Sequence, residues 1–212
     1  MTHHAARALL LGSAAACVMA AGALFWQYAA RTNGGSVDFS PPDDDICIVP
    51  PARVSTAHAY DPASGLGLYD ARPIPADARC PVCGMYPARF PKWAAQIIFK
   101  DGSAHFFDSP VDLFMFLHEP KRFDTQHKAE DAAALYVADH RSGQWLDARQ
   151  AAFVIDSRAR GPMRGPDLPA FANTSAAEAF ATEHGGRALA FAEVDRSVMN
   201  GLRSSTHAGH TH

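Results

Sequence analysis

The sequence predicts an α+β fold: two small homologous ββαβ subdomains that follow an N-terminal transmembrane helix and a Pro-rich tether. Three observations predict it. Residues 8–26 carry no charge for 19 positions. Residues 32–77 are rich in Pro, Gly and Asp. Beyond residue 78, a pair of strands, a capped helix and a closing strand can be read twice in succession.

The first run, ALLLGSAAACVMAAGALFW, lies between Arg7 and Arg31. About 20 apolar helical residues span the hydrocarbon core of a bilayer, and Trp26 and Tyr28 fall where interfacial aromatics belong. Cleavage after the Ala clusters at 14–16 or 20–23 is an alternative, as is lipidation of Cys17. Length favours a retained anchor, because the apolar run continues well past Cys17. Arg7 and Arg31 nearly balance, so orientation rests on the signal-like N-terminus, which directs the rest of the chain to export. The tether holds Gly34-Gly35, Pro41-Pro42, Asp43-Asp44-Asp45, Pro50-Pro51, Pro73 and Pro75. Such stretches stay extended and rarely form a core. A short strand at 46–49, bearing Cys47, is the one regular element expected within it.

Residues 93–100 (WAAQIIFK) read as a strand, Asp101-Gly102 as a hairpin turn, and residues 103–107 as the returning strand. Ser109 N-caps a helix with Pro110 at its first position and Asp112 completing a capping box. Leu113, Phe114 and Leu117 form its apolar face, Pro120 ends it, and residues 134–138 supply the third strand. The second half repeats this order. Residues 152–155 and 168–172 read as strands, Ser175 with Glu178 as a capping box, Gly185-Gly186 as the helix stop, and residues 188–194 as the last strand. In each half a Phe ending the second strand precedes a helix Phe by nine residues: Phe107 and Phe116, then Phe171 and Phe180. Met85 and Met163 each precede a helix. The expected organisation is an anchor at 1–31, a tether at 32–77, subdomains at 78–142 and 143–195, and a His-containing tail at 196–212.

Lys and Arg number 19 against 22 Asp and Glu, a net charge of −3, so no basic field attracts nucleic acid. A Gly-rich phosphate loop, a Gly-x-Ser-x-Gly elbow and a His-Glu-x-x-His pair are all missing from the sequence, and nothing points to an enzyme. Four cysteines are too few to staple a chain of 212 residues.

The pair that demands a local explanation is Cys80-Pro81-Val82-Cys83-Gly84-Met85, three sulfurs within six residues. Thiolate and thioether are soft ligands and select Cu(I) over hard cations. The thioether carries no proton to lose and forms no disulfide, which suits an exported Cu(I) holder. A thioredoxin-like redox pair, half of a zinc ribbon and a small structural disulfide compete with copper. The redox reading lacks the strand-to-helix setting, and the ribbon lacks a second Cys-x-x-Cys. Met163 is a candidate ligand with core filling as its competitor. Asp108 reads as a helix-start residue and His105 as a structural strand residue. His207, His210 and His212 read either as a solvated tail or as a divalent-metal binder, while His118, His127, His140 and His184 show no partner pattern.

With Cys83-Gly84-Met85, the hairpin at 95–102, Phe106-Phe107-Asp108, Gly161-Pro162-Met163, Pro169-Ala170-Phe171, Gly185-Gly186 and Phe191-Ala192-Glu193-Val194 in view, residues 78–194 resemble the NosL family of nitrous-oxide reductase accessory proteins. The resemblance implies two related ββαβ halves and a Cu(I) carrier at the periplasmic face of the bacterial inner membrane. It implies delivery of copper to nitrous-oxide reductase through that enzyme's membrane assembly complex. By position, Cys83 and Met85 match the family's Cys-x-Met element and Met163 a recurrent methionine of the second half. Cys80, not shared by all members, is a further ligand candidate. Many members are lipoproteins, whereas this chain reads as keeping a transmembrane anchor. The alternative function is a periplasmic thiol-disulfide oxidoreductase using Cys80 and Cys83 on the copper-site cysteines of a partner.

Overall fold

The computed structural model describes residues 57–208. The expected anchor, Cys17 and the short strand with Cys47 lie outside the described residues. Among the described residues no helix is long and apolar enough to cross a membrane.

β1 (Ala95–Phe99) and β2 (Ala104–Phe107) form the expected hairpin, with Ala95 opposite Phe107 and Ile98 opposite Ala104. Gly102 closes the turn at φ 82°, a left-handed conformation in which a side chain is strained. α1 (Pro110–His118) starts at Ser109, whose hydroxyl accepts from the Asp112 N–H at 3.3 Å. Pro120 does not simply stop α1. It opens the short helix α2 (Pro120–Phe123), where its missing N–H costs nothing. β3 (Ala132–Ala138) pairs antiparallel with β1, and the short edge strand β4 (Trp145–Asp147) pairs with β3. The first sheet therefore has the order β2-β1-β3-β4.

β5 (Ala152–Ile155), β6 (Ala170–Phe171), α3 (Thr174–His184) and β7 (Arg187–Ala190) follow, with the second sheet ordered β6-β5-β7 and antiparallel throughout. α3 is capped by Asn173, which accepts from the Ala176 N–H at 2.9 Å, rather than by the expected Ser175–Glu178 box. The last strand ends at Ala190, and residues 191–193 turn as a 3-10 segment. Residues 196–212 read as a tail, but the helix α4 (Arg196–Ala208) occupies most of them. It is retained because Met199 and Leu202 are each 4% exposed in the core.

The two sheets share one core through α1. Phe99, Phe107, Phe116, Leu135 and Val137 of the first sheet side join Phe153, Ile155, Leu168 and Leu189 of the second. Phe114 stacks edge-on to Phe153 at 5.2 Å and lies tilted against Phe191 at 5.1 Å. The Phe pairs noted in the sequence meet in both halves: Phe107 with Phe116 at 5.6 Å and Phe171 with Phe180 at 4.8 Å. The methionines are not equivalent, however. Met85 precedes the first hairpin, whereas Met163 lies in the connection between β5 and β6.

Residues 57–78, part of the expected tether, pack on the outer face of the first sheet. His58 exchanges both backbone hydrogen bonds with Ala104 at 2.8 Å. The buried Gln96 side chain accepts from the Arg72 N–H at 3.0 Å and donates to the Arg72 carbonyl at 3.2 Å, as a neighbouring strand would. Tyr136 donates to the Tyr69 carbonyl and Tyr69 to that of Lys100. Ile74 and Ala78 then cover Ile98, Ala104 and Phe106, so every residue of β1 is buried on one face or the other. Pro-rich composition argues against helices and strands, not against a strap held by backbone groups.

Candidate metal centre

The strap runs directly into Cys80, and the loop that follows closes on itself. Cys80 N–H donates to the Met85 carbonyl and Gly84 N–H to the Cys80 carbonyl, both at 2.9 Å. Gly84, at φ 77°, makes the reversal. The first and last sulfur-bearing residues of the motif therefore lie side by side along the backbone. Outside the loop, the Arg79 guanidinium stacks over the Tyr86 ring at 3.7 Å, donates to the Tyr86 hydroxyl and to the Gly84 carbonyl, and Arg89 approaches the same ring at 4.6 Å.

The inner wall is the start of α1. Cys83 Sγ donates to Asp108 Oδ1 at 2.9 Å, and Cys80 Sγ to Asp112 Oδ2 at 3.2 Å. Asp108 leaves β2 just before the cap, and Asp112 stands one turn further, so both carboxylates face the loop. The ligand-capable atoms of Cys80, Cys83, Asp108 and Asp112 lie within 4.8 Å of one another. Both cysteines are free thiols. Asp108 is fully buried, and among the described residues its Oδ2 has no N–H or O–H partner other than the neighbouring Asp112 carboxyl. A buried acceptor needs a donor, and a protonated Asp112 supplies one.

Electrostatics favour protons on this cluster. Burial, with Asp108 close by, pushes the Asp112 carboxyl up to about 7. Burial also raises the Cys80 thiol well above its ordinary value, helped by its contact with Cys83 and the facing carboxylates. The Cys80 contact lowers the Cys83 thiol, but burial and the two Asp side chains outweigh it, and the net shift is upward. A redox nucleophile needs the opposite, a thiol lowered by positive surroundings. The positive end of α1 offsets part of the cost of the carboxylates.

A third carboxylate ties in the second half. Asp167, buried and raised to about 7 mainly by desolvation, accepts from the Leu168 N–H at 2.7 Å and the Val111 N–H at 3.4 Å. A Cβ on Gly161 would sit 2.0 Å from Asp167 Oδ2, so the loop 161–167 is folded tightly over that side chain. Met163 projects from this loop, 63% exposed.

Cys80 and Cys83 thus stand in one cluster, Met85 closes the same loop, and Met163 stands on a solvent-facing loop anchored beside α1. Asp108 and Asp112 were not recognised from sequence, because Asp at a helix start is already explained by capping. Asp112 in fact turns its carboxylate to Cys80 and not back to the Ser109 N–H. A second cluster, His105, Asp124 and His127, also went unseen among the described residues. Its members, from separate segments, make no motif.

The NosL family model matches residues 71–199. The copper-binding lipoprotein NosL of Stutzerimonas stutzeri is 32% identical over 135 residues, covering 63% of this chain and 70% of that protein. The crystal structure of the copper chaperone NosL from Shewanella denitrificans aligns with a TM-score of 0.53 at 28% identity, over 60% of this chain and 97% of that one. The solution structure of apo-NosL from Achromobacter cycloclastes aligns at 26% identity with a TM-score of 0.38, over 50% of this chain and 87% of that one. The mixed α/β fold with antiparallel sheets and the extent of the family match agree: the chain belongs to the NosL family.

Proposed function

We propose that this chain is a non-enzymatic Cu(I) chaperone that takes up periplasmic copper and passes it on for the maturation of nitrous-oxide reductase, through that enzyme's membrane assembly complex. The names of its relatives support copper as the cargo. The observation that carries the reading is the convergence of two free thiols, Cys80 and Cys83, in one buried cluster on the loop that Met85 closes. In this reading Cys83 and Met85 are the principal ligands, Cys80 joins them, and Met163 reaches in from the second half. Soft sulfur selects the Cu(I) state. Binding converts a thiol to a copper thiolate and releases its proton to solvent; the Cys83 and Cys80 thiols already point their S–H groups at Asp108 and Asp112, which hold the sulfurs in place until then. Thiols and an Asp112 carboxyl that favour their protons keep charge out of the core until copper arrives.

Residues 1–31 hold the chain at the periplasmic face of the inner membrane in this proposal, as an anchor helix. The S. stutzeri relative is a lipoprotein, which supports membrane attachment by one route or the other. The matching Phe107–Phe116 and Phe171–Phe180 contacts support descent of β1–β2–α1–β3 and β5–β6–α3–β7 from one ββαβ unit; β4, at 145–147, falls after the expected boundary at 142 but pairs with the first sheet. Titration of the full chain with Cu(I) under reducing conditions, against a chromophoric chelator, tests the site. One equivalent bound, with affinity lowered at least about tenfold by Cys83→Ser and by Met85→Ala, is expected for ligands of this kind. Unchanged affinity in both variants would rule the site out.

A further inference from the structure

We infer that His105, Asp124 and His127 form a second metal site, separate from the sulfur loop, for a borderline divalent ion of the zinc class. His105 Nε2 and His127 Nδ1 each lie 2.8 Å from the same atom, Asp124 Oδ2. All three donor atoms fall within 4.8 Å of one another. Ligand atoms about 2.0–2.2 Å from a tetrahedral zinc are roughly 3.3–3.5 Å apart, so donor shifts of about 1 Å or less close this set around an ion.

The surroundings of His127 fit a ligand. Its other ring nitrogen, Nε2, is held by Asp101 Oδ2 at 3.2 Å and by Ser103 Oγ at 3.1 Å. A carboxylate behind the imidazole fixes the ring and keeps Nδ1 for the metal, as outer carboxylates do in histidine–metal sites. Phe99 stacks on the ring at 4.0 Å and holds its plane. Asp124 is itself fixed, since its Oδ1 accepts from the Gln126 N–H at 2.7 Å. His105 and Asp124 are almost fully buried, while the His127 side chain is 11% and the Asp101 side chain 61% exposed. An ion therefore enters from the hairpin turn, and solvent supplies the fourth position.

The donor chemistry sets the ion. Two imidazoles and a carboxylate suit Zn(II) and its neighbours, and no sulfur is present to select Cu(I). Mg(II) and Ca(II) need six or more oxygens, which this cluster does not offer. His105 lies three residues before Asp108 along the same chain path, about 10 Å at the rise of a strand, so the two sites share no ligand. A bound ion would join the hairpin β1–β2 to the segment after α2.

The same contacts would also serve as a purely hydrogen-bonded relay, and metal uptake separates the two. The experiment uses the full chain in detergent, with Cys80→Ser and Cys83→Ser to silence the sulfur loop and His207→Ala, His210→Ala and His212→Ala to silence the tail. Zn(II) is titrated against a chromophoric chelator, and Co(II) uptake is followed by visible absorption. The expected result is one equivalent of Zn(II), with affinity reduced about 100-fold or more by His127→Ala and about 10- to 100-fold by Asp101→Asn. Asp101 is exposed, so its Asn variant keeps the fold, which far-UV circular dichroism checks. No stoichiometric Zn(II) in the silenced chain, or equal affinity with and without His127 and the Asp101 carboxylate, would overturn the inference.

Discussion

Replacing Asp112 with Asn should stabilise the metal-free protein at neutral pH while weakening copper binding. The Asp112 carboxyl is 6% exposed and pushed up from 3.8 to about 7, first by burial and then by Asp108. A carboxyl raised in the fold contributes stability that is fully present below its unfolded value near 3.8 and is lost as pH climbs through the folded value near 7. From pH 5 to pH 7 that is two units at about 1.4 kcal/mol each, so the native state loses about 3 kcal/mol across the interval. Asn has no such titration. Urea unfolding of wild type and Asp112→Asn, reduced and metal-free, should show the stability difference shifting toward the variant by about 3 kcal/mol between pH 5 and pH 8. In a domain of this size that corresponds to roughly 6–12 °C in Tm. If the difference is the same at both pH values, the buried carboxyl does not carry the strain assigned to it and the account of the apo site fails.

Asp124→Ala should cost about 2–4 kcal/mol, because it leaves the buried His105 ring N–H and the Gln126 N–H without their acceptor; chemical denaturation measures it. Met199→Ala should cost about 2–5 kcal/mol and expose the face α4 covers, read by Tm and by dye binding to apolar surface. Gly84 and Gly186 make a contrasting pair. A Cβ on Gly84 meets open space, so Gly84→Ala should cost only about 1–2 kcal/mol, from its left-handed backbone. A Cβ on Gly186 would fall 2.1 Å from the Ile155 carbonyl, so Gly186→Ala should cost about 3 kcal/mol or more, and similar losses for the two would refute the geometry.

The features legible in the sequence were those with a local physical cause. The β1–β2 hairpin follows from Asp101-Gly102, the start of α1 from Ser109-Pro110, and β5 from an unbroken apolar run. The strap at 57–78 was not legible, since its contacts run through backbone groups of Arg72 and His58 that every sequence carries. Most of α4 was hidden by polar composition, although Val198, Met199 and Leu202 already have the spacing of a buried helix face. Cys83 and Cys80 stood out because two cysteines three residues apart are uncommon. Asp108 and Asp112 did not, because one residue type serves both as a helix-start group and as a partner for a thiol. Softness of sulfur alone pointed to Cu(I), and the fold adds two carboxylates that accept hydrogen bonds from the thiols.

Copper K-edge X-ray absorption on the Cu(I)-loaded full chain tests the central claim most directly. The account predicts a first shell dominated by sulfur that loses one sulfur in Cys83→Ser and one in Met85→Ala. A shell of nitrogen and oxygen only, or a sulfur shell unchanged in both variants, would contradict it.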